Sequence, residues 1–280
     1  MRTPDPFIVL SVAGSDPTGG AGIQGDLKTF ATHRVFGTAV VTAVTVQNAG
    51  GVRAIHAVPS TVVAAQMESL FDQAVPRAMK TGMLLSPSTV EAVADVLARW
   101  PVGSLVVDPV LAATSGGTLA EPGLAAALRA HLFPLAALVT PNRAEAAELL
   151  GRRVDDADAE PAARALLRAL GCGAVLLKGG HSRGPATDVL ATKDWVLEFT
   201  LPRVETRHGH GTGCALSASI AARLARGADL VEAVHGAKDW VHRALEAAVA
   251  LGSGRGCVDH TVPANLGEAA DRGSLDPTPP

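Results

Sequence analysis

The segment Gly209-His210-Gly211-Thr212-Gly213-Cys214 alternates glycine with other residues and then enters Ala215-Leu216-Ser217-Ala218-Ser219-Ile220, a run of helical composition. Glycines at every second position bare successive peptide N–H groups, and the start of a helix adds partial positive charge. That combination makes a hole for an anion. It works without a P-loop lysine, since G-x-x-x-x-G-K-[ST] occurs nowhere in the chain. Cys214 falls in the first turn of the helix, where the dipole is expected to lower its thiol pKa. The competing reading is a buried cysteine used as a small apolar filler. His208 and His210 hint at a metal, but no third ligand accompanies them.

Other loops carry chemistry of the same kind. Ala13-Gly14-Ser15-Asp16-Pro17-Thr18-Gly19-Gly20-Ala21-Gly22 strips side chains where a helix should begin, so a ligand can approach bare backbone N–H groups, or the segment is a flexible turn capped by Asp16. Gly20-Ala21-Gly22-Ile23-Gln24-Gly25 satisfies G-x-G-x-x-G. A dinucleotide site would want an acidic residue after the next strand, and the residues there are Gln47-Asn48. Gln47 pairs a donor with an acceptor, as an aminopyrimidine edge requires, or is a satisfied polar strand end. Asp108-Pro109 offers a carboxylate that can hold Mg²⁺ through water, or that caps a turn. Asn142 and Glu145 are spaced as a capping box. Lys178-Gly179-Gly180 puts a cation in a bare turn, fit for a phosphate or simply for solvent.

Elements that can bring these loops together are legible in the hydrophobic pattern. Strand-length apolar runs are Phe7–Val12, Ala39–Val46, Ser104–Val107, Ala136–Val139 and Ala174–Leu177, and residues 187–200 resemble a hairpin. Ile23, Leu27, Phe30 and Ala31 recur at helical spacing with Gly37 as the expected stop. Ser60–Phe71, Ser86–Trp100, 212–226 and 229–250 also read as helices. Alternation of buried strands with helices predicts an α/β fold, a mostly parallel sheet covered on both faces. Ligands of such sheets bind beyond the carboxyl ends of the strands, which is where every loop above falls.

Composition narrows the partners. The chain has 280 residues, 48% apolar and 18% charged, with a formal charge of −3. That balance has no basic footprint for nucleic acid or an anionic membrane. No apolar run approaches the ~18–20 residues of a membrane-spanning helix. Three widely spaced cysteines, Cys172, Cys214 and Cys257, make neither a disulfide scaffold nor a CxxC motif. A cytoplasmic, reducing setting is expected, with 1–266 as one domain and 267–280 as a flexible tail.

Taken in order, the residues of 13–30 resemble the N-terminal signature of the hydroxymethylpyrimidine/phosphomethylpyrimidine kinases of thiamine biosynthesis, members of the ribokinase-like superfamily. Thr42–Asn48, Lys80-Thr81-Gly82-Met83-Leu84, Val107–Val110, Thr140–Ala146, Leu177–His181, His210–Cys214 and Gly252–His260 agree with that family in sequence order. The resemblance spans about residues 7 to 261. It implies a ribokinase-like domain with a small β lid, a homodimer, and ATP- and Mg²⁺-dependent phosphorylation of a pyrimidine alcohol and then of its monophosphate. By position it implies Gln47 on the aminopyrimidine edge, with Gly14, Asp26, Met83 and Val110 lining the pocket. Gly211, Thr212 and Gly213 would cradle the phosphoryl group and Cys214 would take the substrate proton. Lys178 and Asn142 would lie by the nucleotide, and Asp108 and Glu145 would organise the metal. Thr114 stands where many members have Lys, and Cys257 where Pro is usual. Rival readings are a pyridoxine/pyridoxal kinase of the same branch, a non-catalytic pyrimidine-binding domain, and a dinucleotide oxidoreductase that Gln47 disfavours.

Overall fold

The structure, a computed structural model, describes residues 6–48, 50–111, 119–180, 184–252 and 254–266. Thr114, His181, Ser253 and the segment 267–280 lie outside the described residues.

A nine-stranded sheet forms the frame, in the order β3-β2-β1-β4-β5-β6-β7-β8-β9. Its strands are β1 (Ile8–Ser15), β2 (Phe36–Asn48), β3 (Gly51–Ala57), β4 (Ala78–Thr81), β5 (Ser104–Val107), β6 (Leu138–Val139), β7 (Val175–Leu177), β8 (Ala186–Ala191) and β9 (Val196–Leu201). The pairs from β2 through β7 are parallel, and β3, β8 and β9 are antiparallel to their neighbours. The expected mostly parallel sheet is therefore observed, and so is the hairpin of 187–200.

Side chains alternate across each strand, so each strand feeds two cores. Leu10, Met79, Leu105, Val107, Val139, Val175 and Leu177 pack under α2 (Ser60–Phe71), α3 (Pro87–Arg99), α4 (Leu124–Ala127), α5 (Arg143–Leu150) and α6 (Ala159–Leu170). The alternate residues Val9, Ala78, Val106, Leu138 and Leu176 pack under α1 (Gly22–Thr32), α7 (Thr212–Ala225) and α8 (Leu230–Glu246). The small residues of α7, Ala215, Ala218, Ala221 and Ala222, have no exposed surface, which lets the helix lie close on β4 and β5.

Three sequence expectations shift. The first helix stops at Thr32, and Arg34, with φ +55°, takes the left-handed turn expected of Gly37, which lies in β2. Strands β3 and β4 and helices α4 and α6 add to the elements read from the pattern. The expected helix of 229–250 ends at Glu246, and Val249 pairs instead with Cys257. β2 outruns its parallel partner, and its second half, Ala43–Asn48, pairs with β3 as a projecting hairpin.

Candidate active site

The strand ends are stitched to one another. Gly82 N–H donates to Val12 O, Asp108 N–H to Thr81 O, Thr140 N–H to Val107 O, and Lys178 N–H to Pro141 O. The ladder thus continues past β1, β4, β5, β6 and β7 and lines up their loops along one edge.

At the centre of that edge Lys178 Nζ donates to Asp108 Oδ1 at 2.7 Å. Thr140 Oγ1 donates to the same oxygen at 3.2 Å, and Ser217 Oγ of α7 donates to Asp108 Oδ2 at 3.3 Å. Burial alone would lift the Asp108 carboxyl, but Lys178 and Lys80 together with these donors hold it below the ordinary carboxylate range. Glu145 lies beside the same lysine. Its backbone N–H is capped by Asn142 Oδ1 at 3.0 Å, and its Oε2 accepts from Asn142 N–H at 2.7 Å, so the expected capping box is present. Burial, reinforced by Asp108 and only partly offset by Lys178, pushes Glu145 up to about 7. Asn142 Oδ1 is committed to the cap.

α7 starts over this cluster. Gly211 is its N-cap at φ +83°, and a Cβ there would overlap the carbonyl oxygen of Gly20. Thr212 Oγ1 donates to Gly209 O at 2.7 Å, closing the turn. A Cβ on Gly213 would stand 3.3 Å from Lys178 Nζ and 4.0 Å from Asp108 Oδ2. The bare helix start and the Lys178–Asp108 pair therefore face each other closely. Cys214 follows, half-buried, with the Gly22 N–H of α1 directed at its sulfur. The expected low thiol pKa is not found. Burial pushes the Cys214 thiol up, and Lys80 and the Gly22 N–H oppose that without prevailing.

The apolar side of the site is equally compact. A Cβ on Gly14 would come 2.5 Å from Met83 Cε, so that glycine makes room for the methionine. Met83, Ala43, Leu85 and Leu119 form a small cluster against which Val52, Ile55 and Val110 pack, under the β2–β3 hairpin. Gly14, Met83 and Val110 are thus brought together as expected. Gln47, half-buried, lies with its Nε2 3.4 Å from His210 Nε2. Asp26 does not line this pocket. It has no exposed surface, and both its oxygens accept from Lys80 Nζ, at 2.9 and 3.0 Å.

Several groups escaped the sequence reading. Asp16 is a hub: its Oδ2 accepts from Thr18 Oγ1 at 2.8 Å and Ala21 N–H at 3.0 Å and pairs with His210 Nε2 at 2.7 Å. His210 is thereby a partner of Asp16, and His208 Nδ1 accepts from Gly256 N–H at 2.8 Å, so neither reads as a metal ligand. Lys80, Thr140 and Ser217 were likewise unassigned. For Lys80 and Thr140 the only signal is a polar residue at the end of an apolar run, and Ser217 is one small residue among the others of α7.

No helix of the described residues is long and apolar enough to cross a membrane. A family model described as phosphomethylpyrimidine kinase matches residues 16–259. A hydroxymethylpyrimidine/phosphomethylpyrimidine kinase of Rhizobium meliloti (strain 1021) is 48% identical over 258 residues, 90% of this chain and 96% of its own length. The crystal structure of phosphomethylpyrimidine kinase from Clostridium difficile 630 aligns with a TM-score of 0.76 at 37% identity, over 85% of this chain and 99% of that one. Pyridoxal kinase from Staphylococcus aureus, in complex with AMP-PCP and pyridoxal, aligns at 0.84 with 30% identity, over 92% of this chain and 94% of that one. Backbone similarity alone does not separate pyrimidine from pyridine kinases, because the fold is common to both; the family model and the 48% identical relative carry the pyrimidine kinase description. On that ground the chain belongs to the phosphomethylpyrimidine kinase family, a family of phosphotransferases.

Proposed function

We propose that this chain transfers the γ-phosphoryl of ATP to the hydroxymethyl oxygen of 4-amino-5-hydroxymethyl-2-methylpyrimidine, and then to the resulting monophosphate, in thiamine biosynthesis. The observation that carries the reading is the gap between Gly213 and the Lys178–Asp108 pair, roofed by a helix start and flanked by Cys214.

Phosphoryl transfer asks for alignment and charge stabilisation more than for covalent chemistry. The amides of Gly211 and Gly213 meet the equatorial oxygens of the migrating group, Thr212 N–H closes the turn on Gly209 O at 3.4 Å, and Lys178 adds its ammonium from below. The acceptor ring lies on Met83 and Val110 beside Gly14, with the Gln47 amide on its polar edge. Cys214, as thiolate, takes the hydroxyl proton while the oxygen attacks. Burial keeps the resting sulfur protonated, so turnover rises with pH through the thiol's titration.

Mg²⁺ brought with the nucleotide supplies further positive charge on the phosphate oxygens. Among the described residues no group of three His, Cys, Asp or Glu side chains forms a cage for it. Asp108, already bonded to Lys178, Thr140 and Ser217, fits an outer position reached through water, as does Glu145. The proposal also takes residues 1–266 as one kinase domain acting in the cytoplasm as a homodimer. The β2–β3 hairpin supports the dimer, for Val44 and Val46 stand 49% and 55% exposed on its outer face.

Pyridoxal phosphorylation is the second reading, favoured by the 0.84 alignment with the pyridoxal-bound kinase. Coupled ADP release across a panel of pyrimidine and pyridine alcohols, with the two in competition, tests both. The aminopyrimidine is expected to outcompete pyridoxal and pyridoxine. ADP release with the pyridines alone would overturn the first reading.

A further inference from the structure

The chemistry above leaves unused the most deeply buried ion pair of the described residues. Lys80 and Asp26 both have side chains with no exposed surface. Ser11 Oγ donates to Asp26 Oδ2 at 2.5 Å, which fixes the carboxylate that holds Lys80. Such pairs are poor stabilisers, because withdrawing each ion from water costs several kcal/mol and apolar residues of similar volume often serve as well. A pair that is not explained by stability is explained by where it lies.

Ala78 points to the face covered by α1 and α7, so Lys80, two residues on along β4, points there too. Asp26 sits one helical turn after Gly22 on α1. The N–H of Gly22 is directed at the sulfur of Cys214, and α7 lies directly across β4. The ion pair therefore lies beneath the meeting point of two helix N-termini, and Cys214 occupies that point. A Cβ on Gly82 would come 3.0 Å from Lys80 Nζ, so the turn after β4 is also cut back around the ammonium.

Resting on the phosphotransfer reading, we propose that Lys80 is a positioning residue for the proton transfer: its buried ammonium, aimed by Asp26 and Ser11, is the counter-charge that lets Cys214 stand as a thiolate when the acceptor attacks. In that step the acceptor O–H bond breaks and its proton forms S–H on Cys214. The new O–P bond forms as the bond from the γ-phosphorus to its bridging oxygen breaks, and ADP leaves. Lys80 keeps its own proton throughout. Burial works against that, but Asp26, Cys214 and Asp108 hold its ammonium well above the ordinary lysine range.

Four charged groups bear on the sulfur. Lys80 and Lys178 favour the thiolate, and Asp26 and Asp108 oppose it; after burial, Lys80 has the largest effect. Removing Lys80 while Asp26 keeps its charge should therefore disfavour the thiolate.

The test uses iodoacetamide alkylation against pH in a Cys172→Ser/Cys257→Ser background, so that only Cys214 reacts. Lys80→Met is expected to move the alkylation midpoint up by about one pH unit, a roughly tenfold loss of thiolate near neutrality. Turnover should fall by a similar factor with the KM for ATP unchanged, and Lys80→Arg should recover most of both. Should Lys80→Met leave Asp26 too costly to bury, Lys80→Gln keeps a donor for Asp26 without the charge and is expected to show an upward shift as well. A folded variant of either kind that alkylates Cys214 on the unmodified pH profile overturns the proposal. Alkylation needs neither nucleotide nor acceptor. A chain that phosphorylates no pyrimidine alcohol therefore defeats the proposed function, and the Lys80–Cys214 coupling is still read separately.

Discussion

Two glycines two residues apart should respond to the same substitution in opposite ways. Gly211 is held at φ +83°, and a methyl there would meet the backbone oxygen of Gly20, which has no side-chain freedom with which to yield. The left-handed conformation costs an L-residue about 1–2 kcal/mol, and overpacking against fixed backbone adds about 1–3 kcal/mol. Gly211→Ala should thus lose about 2–5 kcal/mol, a fall in Tm of roughly 5–20 °C at 2–4 °C per kcal/mol. Gly213 has no positive φ and sits inside the first turn of α7. Its new Cβ would stand 3.3 Å from Lys178 Nζ, the far end of a flexible side chain. Since alanine is the better helix former, Gly213→Ala should keep or gain up to about 1 kcal/mol. Yet its methyl fills the space assigned to the migrating phosphoryl group. Keeping the group away from the donors there should lower kcat about as much as deleting one of them, about 10²–10³-fold. Thermal melts and single-turnover kinetics on the two variants separate the effects. A folded Gly213→Ala enzyme with unchanged turnover would refute the placement of the phosphoryl group in that gap.

Cys214→Ala removes the proton acceptor and leaves the cradle intact, so kcat is expected to fall by about 10²–10⁴-fold while ATP binding survives; near-normal single turnover would remove Cys214 from the chemistry. Glu145 supplies a pH test. Its carboxyl lies at about 7 in the fold against an ordinary 4.5, so the folded chain holds the extra proton between those values. Its contribution is intact below about pH 4.5 and is lost as pH rises through 7. Glu145→Gln keeps the helix cap without the charge. It should be more stable than the parent at pH 8, by at most about 3 kcal/mol, and equal to it at pH 4, in denaturant melts at both values. Equal stability at pH 8 would mean that Lys178 compensates the buried carboxylate fully.

The frame was legible because apolar strands and capped helices announce themselves locally. Ser86 and Asn142 cap α3 and α5 where the pattern required. The β3 strand escaped because it is an edge: Arg53, Ala54, His56 and Ala57 are exposed, so its composition carries no burial signal. The α1 terminus was misjudged because a left-handed arginine did what glycine usually does. In the site, spacing alone revealed the Gly209–Gly213 nest and the Asn142–Glu145 box, both made by near neighbours in the chain. The Asp16–His210 and Lys80–Asp26 pairs join residues 194 and 54 positions apart. No local rule reports a partner at that distance. The thiol was misjudged for a related reason: a helix start lowers a cysteine pKa, but burial depends on what packs over it, and here burial prevails.

A simpler regularity nevertheless ties the polar site to the apolar frame. Ala78, Val106, Leu138 and Leu176 all face α1, α7 and α8. Two residues further along each strand direction stand Lys80, Asp108, Thr140 and Lys178. The alternation that buries the first set under α7 turns the second set toward the same helix, where its N-terminus begins. Ser11, two residues after Val9, obeys the same rule and reaches Asp26. One period of two thus builds a hydrophobic floor and then, at its carboxyl edge, a row of polar groups on that same side. These groups differ in their distance from solvent. Lys178 and Asp108 sit against the bare Gly213, where a phosphate can enter, whereas Lys80 lies deeper with no exposed surface and acts through its field. The sheet therefore supplies charge to the site at two depths, and the deeper one is the part that a list of surface-lining residues would omit.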